Sequence, residues 1–193
     1  MPDLASLLAA LCSGDDQRAE TAAIQFAPWG QPAIDELARV VERESSDERW
    51  WAVRSLAEFE QGAASQILIA ALKDKDKTVQ QCAALALRKK PHPEAVSDLA
   101  TLLNDSDHLL VHLAADALAA IGKAATPALL DIIHDGGSLA RVEAVRALGQ
   151  YQDDKSIATL FQLLDDQSML IDYWATEALQ NMGIGMCFFQ PDQ

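Results

Sequence analysis

Aromatic residues make up only 6% of this 193-residue chain, and its 15 basic residues face 29 acidic ones, a formal charge of −14. A nucleic-acid-binding domain would show a basic face, so the shortage of Lys and Arg argues against that partner. The two small basic groups, Lys73/Lys75/Lys77 and Arg88/Lys89/Lys90, flank turns and read as solvated helix ends. Cysteine is scarce too. Cys12, Cys82 and Cys187 are odd in number and far apart, which excludes CxxC and zinc-type spacings and makes a reducing cytoplasm the expected location. No apolar run reaches the roughly 18 residues that would span a bilayer, and the Met1-Pro2-Asp3 start lacks the basic and apolar regions of a secretory signal. The chain contains no GxSxG elbow, GxxxxGK[ST] loop or HExxH pair, so the common nucleophilic, phosphate-cradling and zinc-hydrolase chemistries lack their motifs.

What the chain does have is leucine at a fixed period. Leu7, Leu37, Leu68, Leu99, Leu129 and Leu160 are separated by 30, 31, 31, 30 and 31 residues. Four residues beyond each stands a second apolar side chain: Leu11, Val41, Leu72, Leu103, Ile133 and Leu164. Residues i and i+4 share one helical face, so each pair marks a buried stripe. A second series interleaves with the first, at Ile24, Leu56, Leu85, Leu118, Leu148 and Leu179, with spacings of 32, 29, 33, 30 and 31. Two helices every thirty or so residues predict an all-α fold, an α-solenoid of about 12 helices. Pro91 and Pro93 end one predicted helix over 78–87, and Asp- and Ser-rich turns offer side-chain oxygens to the helix starts that follow. In this register 4–12 and 170–182 are lone helices flanking five complete two-helix units.

No linker or composition break divides the chain, so residues 1–193 read as one domain. The stretch 183–193 departs from the repeat. It is apolar and glycine-interrupted, with Met186, Phe188 and Phe189, and reads either as a cap over the last repeat or as a docking tail.

Two helices carry a more specific pattern. Arg49-Trp50-Trp51-Ala52-Val53-Arg54-Ser55-Leu56-Ala57-Glu58-Phe59 and Val142-Glu143-Ala144-Val145-Arg146-Ala147-Leu148-Gly149-Gln150-Tyr151 share the form VR-x-L-(A/G)-x-aromatic. Ile121-Gly122 and Met182-Gly183 supply a hydrophobic-glycine close. Together these resemble the HEAT-like repeat of the phycobilisome lyase type, in six copies of uneven quality. The copy at Asp76 is the weakest, with Ala83 in place of the arginine and no glycine close. Relatives of that repeat include phycobilin lyase E/F subunits, phycobilisome-degradation proteins and unrelated scaffolds. The resemblance implies a protein partner, such as a phycobiliprotein, an assembly or degradation factor, or a larger lyase subunit. It also implies a bilin ligand if the chain is a lyase subunit, because aromatic faces and arginines suit a flat tetrapyrrole with propionates.

Counting back from the second series locates the exposed side of its helices. Two residues before each leucine stand Arg54, Ala83, Asp116, Arg146 and Glu177; five before, Trp51, Gln80, Leu113, Glu143 and Trp174; six before, Trp50, Val79, His112, Val142 and Tyr173. These rows share a helical face. The expected binding strip is Trp50, Trp51, Arg54, Glu58, His112, Asp116, Glu143, Arg146, Tyr173, Trp174 and Glu177. Aromatics and arginines dominate binding hot spots, although one of the two adjacent tryptophans must turn toward the core. His108, His112 and Asp116 fall at i, i+4 and i+8 and could share a metal, but Leu109 stands where a catalytic glutamate would be and no cysteine is near, so neither a metal nor a catalytic residue is expected. The sequence therefore predicts a non-catalytic scaffold that binds a protein through its groove, with a bilin-binding lyase or lyase-isomerase subunit as the alternative.

Overall fold

A computed structural model describes residues 2–60 and 62–184. It shows why a 31-residue period produces a stack of hairpins. The helices are α1 (Leu4–Leu11), α2 (Asp16–Ala23), α3 (Gln31–Val41), α4 (Ser46–Leu56), α5 (Ala63–Ala71), α6 (Lys77–Lys89), α7 (Val96–Leu102), α8 (His108–Ile121), α9 (Thr126–Asp135), α10 (Ser138–Leu148), α11 (Ile157–Gln162) and α12 (Met169–Asn181). These twelve are the α-helices among the described residues, and no strand accompanies them. The tail beyond Ile184, including Met186, Phe188 and Phe189, lies outside the described residues.

Capping sets the helix starts. Asp3, Asp15, Ser45, Asp76 and Asp107 each accept a hydrogen bond from a backbone N–H of the first turn of α1, α2, α4, α6 and α8 respectively, satisfying donors that the helix cannot. Proline occupies the first turn of α3 and α9, where its missing N–H costs nothing. Lys90 ends α6 immediately before Pro91. The last helix stops at Gly183, whose φ of 75° allows the N–H groups of Gly183 and Ile184 to reach the carbonyls of Gln180 and Leu179, a Schellman closure.

Every leucine of the first series is buried: Leu7, Leu37, Leu68, Leu99, Leu129 and Leu160. The second series needs correction. Ile24 is 55% exposed and Leu85 37% exposed, while Phe26 and Leu87 are fully enclosed. The buried series is therefore Phe26, Leu56, Leu87, Leu118, Leu148 and Leu179, with spacings of 30, 31, 31, 30 and 31. It repeats the intervals of the first series one for one, as rigid stacking of identical hairpins requires.

The pairing of helices also corrects the expected units. Each odd helix packs against the even helix that follows it, α1 with α2 through α11 with α12. The described chain is six whole hairpins, with no lone helix at either end. The flanking helices only seemed single because the count began on the wrong member of each pair. Successive even helices pack closely from α4 to α12, whereas successive odd helices touch sparingly. The even row is thus the more tightly packed of the two layers, and a two-layer stack bends toward its tighter layer.

Ion pairs, one of them buried, fasten neighbouring hairpins. Arg49 of α4, 3% exposed, donates from Nε and Nη2 to both carboxylate oxygens of Asp74 at 2.8 and 2.7 Å, and from Nη1 to the carbonyls of Arg43 and Glu44. Arg141 of α10 repeats the contact with Asp166 at 2.7 Å. Asp74 also accepts the N–H of Asp76, and Asp166 that of Ser168, so each carboxylate joins the turn between two helices to the preceding hairpin.

Candidate binding face on the even helices

The even helices run parallel to one another, so equivalent positions form rows across the stack. The row two residues before the corrected series holds Ile24, Arg54, Leu85, Asp116, Arg146 and Glu177, and the row six before holds Glu20, Trp50, Gln81, His112, Val142 and Tyr173. On α6 the residues that the sequence count places in these rows, Val79, Gln80 and Ala83, are all buried. Gln81 and Leu85 take their place, because the leucine to count from is Leu87.

Two clusters form within the strip. Near the amino-terminal end, Trp51 is buried and meets Trp50 edge to face, with ring centroids 4.7 Å apart. Trp51 is thus a core residue and leaves the strip, whereas Trp50 stays half-exposed. Arg54 donates to Glu58, just beyond the end of its own helix, and to Glu20 of α2 at 2.8 Å. Glu20, 34 residues away in sequence, was missed, although on the corrected series it occupies the same row as Trp50.

The second cluster spans α6, α8 and α10. Arg146 donates from Nε to Glu143 and from Nη2 to Asp116, both at 2.7 Å. Asp116 accepts a further hydrogen bond from Arg88 of α6 at 2.9 Å. His112 lies 3.3 Å from Glu143 and 3.9 Å from Asp116. The sequence reads Arg88 as a solvated helix end, but in the structure it lies one residue beyond Leu87 and faces this network. Burial raises the Asp116 carboxyl, but the hydrogen bonds from Arg146 and Arg88 outweigh it and hold the group below the ordinary carboxylate range. Burial opposes ionisation of Arg146, and the hydrogen bonds it donates to Asp116 and Glu143 more than compensate. Asp116 is therefore ionised at neutral pH and has no proton to donate. Among the described residues no three His, Cys, Asp or Glu side chains converge on a point a metal could occupy.

On α12, Tyr173 and Trp174 meet edge to face with centroids 5.1 Å apart. Trp174 and Glu177 join Arg146, Gly149, Gln150 and Asn181 around a cleft of about 500 Å³. Beside it Gly149 lets α10 and α12 approach closely, since a Cβ there would sit 3.3 Å from that of Ala178. The structure thus gathers His112, Asp116, Glu143 and Arg146 into one network beside Tyr173, Trp174 and Glu177, and leaves Trp50, Arg54 and Glu58 as a separate group toward the other end.

A sequence model of HEAT repeats matches residues 4–88, 65–141 and 126–186, nearly the whole chain. The chain belongs to the HEAT-repeat family. This HEAT-repeat chain matches no curated protein sequence. Among solved structures it is similar to YibA of Escherichia coli (TM-score 0.61, 18% identity, 93% of this chain and 70% of that one). It is also similar to the complex of CpcE and CpcF of phycocyanin lyase from Nostoc sp. PCC7120 (TM-score 0.57, 22% identity, 95% and 78%). A designed armadillo repeat protein in complex with the peptide (KR)4 is comparable (TM-score 0.56, 19% identity, 94% and 100%). At these identities the likeness is one of fold.

Proposed function

We propose that this HEAT-repeat chain is a non-catalytic scaffold that holds a partner protein against its even-helix face. The observation that carries the reading is the composition of that face. It presents half-exposed or exposed Trp50, Tyr173 and Trp174 beside ion pairs in which Arg54 and Arg146 are already held in place. Aromatic anchors framed by pre-ordered charges suit protein recognition, because little side-chain freedom is lost on binding. The resemblance to the phycobilisome lyase type of repeat makes a phycobiliprotein, or a factor that assembles or degrades the phycobilisome, the first partner to try. A reducing cytoplasm suits the unpaired thiols of Cys12 and Cys82.

The alternative, a phycobilin lyase or lyase-isomerase subunit, draws on the same resemblance and on the shared fold with the CpcE–CpcF complex. It meets an obstacle in the geometry. Bilin propionates would have to displace Glu20 and Glu58 from Arg54, or Asp116 and Glu143 from Arg146.

A photo-crosslinking amino acid placed at Gln81, His112 or Tyr173 should capture the partner in the source cells, while the same group at Asp35, Gln66 or Ser97 of the odd row should not. Capture from the odd row alone would refute the scaffold reading. Titration with free phycocyanobilin separates the two functions. The scaffold predicts an unaltered spectrum, and a sharpened, red-shifted band abolished by Arg146→Ala would establish chromophore handling.

A further inference from the structure

The binding face does not end at the ion-pair network. It continues toward the amino-terminal ends of α8, α10 and α12 as an apolar ledge. Nine residues before the corrected leucines stand Leu109, Leu139 and Leu170, two helical turns from the charged row and on the same face. Leu109 is 54% and Leu170 58% exposed, and Leu139 is partly covered. Val142 and Tyr173, one turn further along, widen the ledge, and Met169 extends its edge. The corresponding positions on α2, α4 and α6 are Gln17, Asp47 and Thr78, so the ledge is confined to one half of the stack. Seven large apolar side chains are exposed among the described residues, and four of them, Leu109, Met169, Leu170 and Tyr173, lie here. Such clustering marks an interaction surface.

We infer that this ledge docks an amphipathic, basic α-helix of the partner protein, lying across α8, α10 and α12. The inference rests on the scaffold reading and names the partner's chemistry. Three features select a helix. Packed helices stand about 8–10 Å apart, and two turns of an α-helix, seven residues, advance about 10.5 Å. A crossing helix with apolar residues at heptad spacing therefore meets Leu109, Leu139 and Leu170 in turn. An extended peptide would bring unpaired N–H and C=O groups that need partners, and the three leucines and Val142 offer none. A helix satisfies its own backbone. The third feature is charge. The nearby arginines are taken, Arg141 by Asp166 and Arg146 by Asp116 and Glu143. Among the described residues Asp135, Asp165, Asp172 and Glu177 have no cation within ion-pair distance, so the rim favours Lys and Arg on the flanks of the incoming helix.

The test uses fluorescence anisotropy with the full chain and a labelled 24-residue peptide carrying Leu at heptad a and d positions and Lys and Gln elsewhere. A scrambled peptide of equal composition and an analogue with Glu for Lys serve as controls. The heptad peptide should bind, both controls should bind about tenfold or more weakly, and added salt should weaken the complex. The double variant Leu109→Ser/Leu170→Ser should lose binding by about tenfold or more. Phe161→Ser, which removes an exposed apolar side chain of the odd row, should leave it unchanged. Equal binding of the scrambled peptide, no binding by the wild-type chain, or indifference to the double variant would overturn the inference. So would sedimentation showing that the chain alone dimerises through these leucines, since the occupant would then be a second copy. Peptide failure alongside successful capture from the even row would remove the helix and leave the scaffold standing.

Discussion

Arg49 and Arg141 do the same work 92 residues apart. Each reaches from an even helix to an aspartate in the turn that joins the two helices of the next hairpin, and the Arg49 pair is almost wholly removed from water. Breaking such a pair strands a buried charge, so Arg49→Ala should lower the unfolding free energy by about 3–5 kcal/mol at pH 7, as measured by urea denaturation. Burial raises the Asp74 carboxyl, but the hydrogen bonds from Arg49 and from the N–H of Asp76 prevail and hold it below its ordinary value. A depressed carboxylate stabilises the fold fully above its unfolded value of about 3.9 and loses that contribution as pH falls through the folded value. The gap between wild type and Arg49→Ala should therefore narrow in acid and stay constant from pH 6 to 8. Cys82 gives a second residue-scale check. Burial pushes its thiol up to about 12, so a thiol-specific label at pH 8 should leave it untouched in the native protein and modify it in denaturant.

At the scale of the helix, much of the architecture is legible in the sequence. The first leucine series, the capping aspartates and serines, the proline stop at Pro91 and the glycine closes at Gly122 and Gly183 all follow from local chemistry that one sequence displays. Legibility failed where two residues of similar character compete for one position. On α6 the run Ala83-Ala84-Leu85-Ala86-Leu87 offers two leucines a hundred-and-sixty-odd degrees apart on the helix, and neighbouring hairpins decide which is buried. On α2 the buried residue is Phe26, beyond the end of the helix, and a search for aliphatic residues alone passes it by. Those two slips displaced the strip on α6 and concealed Glu20 and Arg88, whose partners lie about thirty residues away. The corrected register makes a direct prediction. Leu87→Ala should cost about 2–5 kcal/mol in unfolding free energy and Leu85→Ala well under 1; comparable losses would mean that the register is still wrong.

Across the described residues, six hairpins stack in series. Each contacts only its neighbours, so local positions recur as long rows, and a face no single hairpin could build emerges from repetition. The candidate binding face exists because the even helices stack closely in a common register. The legible part of that face was its list of residue types; the part that was not was its division into two ion-paired clusters, because side-chain partners across hairpins leave no mark at short sequence range. The central claim is that the even row forms the inner, partner-facing side of the stack. Pulsed electron–electron distance measurement tests it directly, in a chain whose own cysteines are replaced (Cys12→Ser, Cys82→Ala, Cys187→Ser). Nitroxides at positions 20 and 173 sit five repeats apart on the even row, and at positions 5 and 158 five repeats apart on the odd row. The account predicts a shorter distance for the first pair than for the second; equal distances, or a shorter odd-row distance, would contradict it.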